Sequence, residues 1–151
     1  MVAGLYRYRK EMKKTLFVLA FFCLSFLFAW ADTPPKLQNF NKVSLASVYD
    51  GDTFKVYLAC KYPVFCKAIP VRVNGVDCPE IRGGTKESKE AAKAAKKFTK
   101  EFLKSGKILL RNCSRDKYFR LLCDVKVNGH DLASQLIEHS HAVPYSGGTK
   151  S

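Results

Sequence analysis

The chain has 151 residues, 26 Lys and Arg against 13 Asp and Glu, and six Cys. That length suits one ordinary domain, and a hydrophobic content of 47% with 13% aromatics excludes a disordered or low-complexity chain. The net charge of +13 says little about the fold but predicts attraction to polyanions: nucleic acid, an anionic membrane surface or acidic protein.

The first predicted element is a targeting segment. Residues 16–30 are apolar apart from Cys23 and Ser25, and they follow Arg7, Arg9, Lys10, Lys13 and Lys14. The run ends in Ala29-Trp30-Ala31, ahead of Asp32 and Thr33-Pro34-Pro35. A basic start, a short apolar stretch and small residues at the cut form a secretory signal. The sixteen residues from Leu16 to Ala31 fall short of the about 20 that a spanning helix wants. Cleavage after Ala31 is therefore expected, with an uncleaved signal anchor as the alternative, and Met12-Lys13-Lys14-Thr15 offers a second start site. The signal takes five basic residues and Glu11 with it, so the mature 120 residues keep 21 basic and 12 acidic ones, a net of +9. The charge is not merely a targeting device. The product belongs in a periplasm or outside the cell.

Export permits disulfides, and the five remaining cysteines, Cys60, Cys66, Cys78, Cys113 and Cys123, leave at least one thiol over. Cys60 and Cys66 flank Lys-Tyr-Pro-Val-Phe, a segment short enough to turn back, and are the pair expected to bond. Zinc is disfavoured, because there is no C-x-x-C spacing and no ligand-like His neighbour.

Residues 32–41 read as a polar lead-in. Alternation predicts strands over 42–48 (Val43, Leu45, Val48) and 53–59 (Phe54, Val56, Leu58), separated by the Asp50-Gly51 turn. A third strand is predicted over 69–76, with Ile69, Val71 and Val73 on one face. The spacing of Ala91, Ala94, Ala95, Phe98 and Phe102 predicts a helix over 87–103, its lysines mostly opposite that stripe and Gly106 as its stop. Strands over 107–111 and 121–127 follow, the second closed by Asn128-Gly129. A short helix over 132–139, capped by Asp131 and turning Leu132, Leu136 and Ile137 inward, completes the domain. The expected architecture is α+β: an OB-type five-stranded β-barrel with one long helix after the third strand and a short C-terminal helix. The domain spans 42–145 and a tail 146–151.

Three polar clusters fall at strand ends or in a Pro-bounded loop: Asp50-Gly51-Asp52-Thr53, the stretch from Arg72 through Asp77-Cys78-Pro79-Glu80, and Asp116-Lys117-Tyr118-Phe119-Arg120. Two carboxylates brought together repel unless a cation separates them. Ca²⁺ or Mg²⁺ suits Asp and backbone carbonyl better than Zn²⁺ does. Two arginines suit a phosphate, whose oxygens the guanidinium fork binds in pairs. That leaves Glu80 to act on water as a general base. Together these describe metal-assisted phosphodiester hydrolysis. The plain alternatives are a common Asp-Gly turn and a surface arginine at 72. Asp50 reads equally well as an acid tuning the metal or as a turn former. His130, His139 and His141 read as exposed residues around a helix, and Tyr145 as a packing residue rather than a stacking one. The lysines of the long helix read as its solvated face, adding non-specific attraction to nucleic acid.

With Asp-Gly-Asp-Thr at 50–53, Arg72 five positions before Asp77, Pro79-Glu80 closing that stretch and Asp-Lys-Tyr-x-Arg at 116–120, the chain resembles the thermonuclease (staphylococcal nuclease) family from about residue 43 to 145. The resemblance implies an OB-type barrel and Ca²⁺-dependent cleavage of DNA and RNA that leaves 3′-phosphate ends. It implies Asp52 and Asp77 as metal carboxylates, the backbone carbonyl of Cys78 as a further ligand, and Glu80 as the general base. Arg72 and Arg120 would bind phosphate, with Lys117 and Tyr118 beside the nucleotide. Ca²⁺ is the expected cofactor, ahead of Mg²⁺. Cys78 stands where the family usually has Thr, Phe119 replaces a small residue, Ser140 sits where a Gly often follows the last helix, and the stretch between Asp52 and Arg72 is long. Sequence specificity should be slight, since no element looks able to read base edges. The expected partners are DNA and RNA as substrates, with no membrane span once the signal is cut, and the protein is expected to be a monomer. The rival reading is a catalytically inactive OB-fold module that only binds single strands. A third is a membrane-anchored or structural basic protein. Retention of Asp52, Arg72, Asp77, Glu80 and Arg120 speaks against both.

Overall fold

A computed structural model of the protein describes residues 37–60, 66–82 and 84–147. The expected signal over 1–31 and the second start at Met12 lie outside the described residues, as do half of the lead-in and most of the tail. In chain order the described elements are β1 (Gln38–Phe40), β2 (Val43–Val48), β3 (Thr53–Leu58), β4 (Ile69–Val73), β5 (Val76–Asp77), α1 (Lys86–Lys104), β6 (Ile108–Arg115), β7 (Leu121–Val127), β8 (His130–Asp131), α2 (Leu132–Glu138) and β9 (Val143–Pro144).

β2, β3 and β4 are successive antiparallel neighbours, with Thr53 opposite Arg72. β7 runs parallel to β4, setting Leu122 beside Arg72, and pairs antiparallel with β6. β1 adds to β6 and β8 to β7, giving a curled half-barrel sheet of seven strands, while β5 pairs with β9 separately. The alternation that marked β3 is the cause of its placement: Phe54 and Val56 are fully buried, Lys55 and Tyr57 exposed. Each such buried side chain contributes roughly 1.5–3 kcal/mol.

The five expected strands all form, but the count and the helix position differ from expectation. β1 and β8 join the sheet although they are too short for alternation to announce them. The strand expected over 69–76 stops at Val73, because Asn74-Gly75 turns the chain with Gly75 at φ 80°, and Val76–Asp77 becomes a strand of its own. The long helix thus follows five strands in chain order. β6 runs on to Arg115 through a bulge between Arg111 and Ser114, where Asn112 takes φ 50°.

α1 buries Ala92, Ala95, Thr99 and Leu103, with Ala91 and Ala94 exposed and Phe98 and Phe102 only half-buried. The stripe is rotated from the predicted one because this face meets the Asp50-Gly51 turn, where little room is left. A Cβ at Gly51 would lie 2.8 Å from that of Ala95 and 2.6 Å from the Cys78 sulfur. On α2, Leu132 and Leu136 are buried as expected, but Ile137 is 38% exposed. The expected Cys60–Cys66 disulfide is present, and a second joins Cys113 to Cys123, leaving Cys78 as a buried thiol. The second pair went unforeseen because only the β6 bulge brings Cys113 against Cys123 across the ladder. Among the described residues no helix is long and apolar enough to cross a membrane.

Candidate active site

The Asp-Gly-Asp-Thr turn links β2 to β3 and is closed by the Tyr49 and Asp50 N–H groups, which both donate to the Thr53 carbonyl, at 2.9 and 3.1 Å. Thr99 of α1 donates to the Gly51 carbonyl at 2.6 Å, pinning the turn to the helix. This tight seat buries Asp52, 2% exposed, and surrounds its carboxylate with donors. Its Oδ1 accepts from Arg72 Nη1 at 2.7 Å and from Thr53 Oγ1 at 2.9 Å, and its Oδ2 accepts from the Cys78 N–H at 2.9 Å. Arg72 uses its second fork nitrogen on Asp77 Oδ1, also at 2.7 Å. The guanidinium thus ties the β3 turn to β5. Burial alone would lower its pKa, but Asp52 and Asp77 outweigh that and raise it, so the group stays charged.

Three of the expected ligand positions are therefore together: Asp52, Asp77 and Cys78 lie around Arg72. Cys78 meets Asp52 through its N–H. Its thiol is held protonated by burial and then by the nearby Asp52, its pKa pushed up to about 12. Asp50 stands close to Asp52 and Arg72. Burial, then the charge of Asp52, pushes its carboxyl up to about 6, and its Oδ1 is buried with no hydrogen-bond partner. An orphaned carboxylate oxygen beside a second carboxylate suits a hard cation with oxygen ligands. Among the described residues no three His, Cys, Asp or Glu side chains gather closely enough to hold a metal by themselves. A cation here would draw its other ligands from backbone carbonyl, water and substrate.

The loop between β6 and β7 is built on Asp116, to which residue pattern alone assigned no role. Asp116 Oδ1 accepts from the Tyr118 and Arg120 N–H groups, both at 2.9 Å, and Oδ2 accepts from Arg120 Nε at 2.8 Å. The signal was there: an acid four residues ahead of an arginine, at the mouth of a hairpin. Burial works against ionisation of Asp116, but the Arg120 N–H and guanidinium and the Tyr118 N–H hold its carboxyl below the usual carboxylate range. A lowered carboxylate pKa contributes stability that is present above the unfolded value, about 4, and lost as pH falls through the folded one. Asp116→Asn is therefore expected to be less stable than the parent at pH 7, with the difference closing below about pH 4. Thermal unfolding of both proteins across pH checks it. Phe119, 74% exposed, sits at φ 62°, a conformation that explains why a small residue is the easier choice there. Ser140 takes φ 57° after α2 for the same reason. The Arg120 guanidinium lies 5.2 Å from the centre of the Tyr118 ring, within cation–π range.

A cavity of about 600 Å³ is lined by Arg72, Glu80, Lys117, Tyr118, Arg120 and Tyr145, with Asp116 and Leu122 at its wall. Strand β4, the Pro-bounded loop after β5 and the β6–β7 loop thus deliver Arg72, Glu80, Lys117, Tyr118 and Arg120 to one cleft, whereas Asp52, Asp77 and Cys78 are not among its lining residues, and the two acids reach it through Arg72. Tyr145, read from sequence as a packing residue, is half-buried and lines the cleft too. His130 and His139 are exposed, as expected, while His141 is half-buried; the rings of His139 and His141 also pack on Phe98, at 4.9 and 5.0 Å between centroids. In comparison with known proteins, the family model described as staphylococcal nuclease homologue matches residues 70–150, more than half of the chain. No curated protein matches it.

Proposed function

The chain belongs to the staphylococcal nuclease family, and from that premise we propose that it is an exported, Ca²⁺-dependent nuclease that hydrolyses DNA and RNA with little sequence specificity and acts as a monomer. The observation that carries this reading is the convergence of Arg72, Glu80 and Arg120 on one cleft. Two guanidinium groups and a carboxylate facing a common space are what an in-line attack on a phosphodiester needs. A binding module has no use for the carboxylate, which repels the backbone.

Asp52 and Asp77, with a backbone carbonyl at Cys78, are the groups we assign to the metal, and Asp50 is the acid beside them. Ca²⁺, when bound, neutralises the carboxylates and polarises a phosphate oxygen. Glu80 accepts a proton from the attacking water. Arg72 and Arg120 donate to the phosphoryl oxygens as charge builds on them, and Asp116 holds the Arg120 guanidinium in place for that contact. Lys117 and Tyr118 flank the nucleotide. The leaving group is the 5′-oxygen, so 3′-phosphate ends result. Export is supported by the signal pattern at the start of the sequence and by the two disulfides.

The test is direct. Cleavage of DNA and RNA by the purified protein is expected to vanish in excess chelator, to return with Ca²⁺ and to return less fully with Mg²⁺, which demands a stricter octahedron than this sparse donor set offers. Full cleavage in chelator refutes the reading.

A further inference from the structure

α1 carries seven lysines and three glutamates. At about 100° per residue, Lys86, Lys89, Lys93, Lys96, Lys97, Lys100 and Lys104 fall within roughly 100° of arc. Glu87, Glu90 and Glu101 share a separate arc beyond them. The lysine flank adjoins the buried face on one side, while Phe98, in contact with His139 and His141, lies on the other. Six of the seven lysines are exposed and Lys96 is partly so.

This is a poor way to build a merely solvated face. A helix stabilised by surface charge alternates Glu and Lys at i, i+4, whereas here Lys89 faces Lys93, Lys93 faces Lys97, Lys96 faces Lys100 and Lys100 faces Lys104. Lys86 and Lys89 also stand in the first turn, against the helix dipole. Among the described residues the only ion pair on this helix is Lys97 with Glu101, at 4.0 Å. The flank repels itself, and a polyanion laid along it removes that repulsion.

We propose that the lysine flank of α1 is a docking surface for the sugar-phosphate backbone of duplex nucleic acid, separate from the cleft. It rests on the nuclease reading for the identity of the polyanion. The 19-residue helix is a straight row of point charges about 27 Å long, which matches roughly eight base pairs of duplex. No aromatic side chain interrupts the lysine arc, so it lacks the stacking platform by which single strands are held. An anionic membrane is the poorer match, because the apolar face that would insert is already buried in the domain through Ala92, Ala95 and Leu103. The surface is rigidly joined to the candidate site through the bond from Thr99 to Gly51. A duplex held there is presented repeatedly to the cleft.

The test compares the full chain with K86Q/K89Q/K93Q/K100Q and with the matching four-site Lys→Arg variant. Binding of a 30-base-pair duplex is followed by fluorescence anisotropy in chelator across salt concentrations, so that nothing is cleaved. The Gln variant is expected to bind at least tenfold more weakly at low salt, with a log–log salt slope shallower by about 2–4, near 0.9 for each phosphate no longer neutralised. The Arg variant restores the slope. Cleavage of a dinucleotide stays at the parental rate while cleavage of long duplex falls. The Gln variant should melt no lower than the parent, since four repelling charges are gone. A slope unchanged by the Gln substitutions overturns the proposal, as does loss of binding to phosphatidylserine vesicles without any change in duplex binding. Absence of cleavage in the parent, with the slope difference intact, overturns the nuclease reading and leaves the docking surface standing.

Discussion

Replacing Glu80 with Gln is expected to lower kcat for nucleic-acid hydrolysis by about 10²–10⁴-fold, the usual span for losing a general base. The variant keeps the shape and the hydrogen-bonding capacity of the side chain and removes its ability to take a proton. Glu80 shares the cleft with Arg72, Arg120, Lys117, Tyr118 and Tyr145, so the groups we assign to phosphate and nucleotide remain in place. Binding of uncleaved substrate should therefore stay near the parental value. This split between turnover and binding separates the enzyme from a catalytically inactive OB module, which has no turnover to lose. Single-turnover cleavage and equilibrium binding, measured on both proteins, decide it. Parental cleavage by Glu80→Gln means that another group activates the water.

The parts of this molecule that were legible in the sequence are those whose signal is local. Phe54 and Val56 alternate with Lys55 and Tyr57, and β3 forms where the alternation says. Cys60 and Cys66 are close in sequence, and they bond. What stayed hidden depends on how elements meet. The burial of Ala92 rather than Ala91 follows from the approach of α1 to Gly51, a long-range contact that helical periodicity does not contain. Cys113 and Cys123 come together only through the bulge in β6. The site divides the same way. The acids and arginines were visible as residue types, and family resemblance gave them roles. That one guanidinium would bridge Asp52 and Asp77 was not visible, nor that Asp116 would anchor Arg120, because each depends on a hydrogen bond whose geometry the fold supplies.

That bridge makes Arg72 the position where stability and catalysis are most tightly joined. Arg72→Met removes the cation that faces Asp52 at 2.7 Å and Asp77 at 2.7 Å, and leaves Asp50 beside them with an oxygen already unpartnered. Breaking a buried pair by removing one member destabilises by about 3–5 kcal/mol, because the charge left behind has lost both water and partner. Arg72→Met is expected to lose that much in the absence of divalent cation, and to recover part of it when Ca²⁺ supplies the missing positive charge. Turnover should not recover with it. The metal replaces charge among the carboxylates, but not a guanidinium donor aimed at the phosphoryl oxygens, whose removal costs roughly 10²–10³-fold in rate. Arg72→Lys separates the two roles further. Its ammonium keeps the charge and much of the stability, yet it cannot present the planar fork that reaches both carboxylates and matches a phosphate. Urea unfolding with and without Ca²⁺, set beside single-turnover rates, distinguishes these outcomes. If Arg72→Lys cleaves at the parental rate, the arginine serves only to hold the two acids together, and the charge that develops on phosphorus is stabilised elsewhere in the cleft.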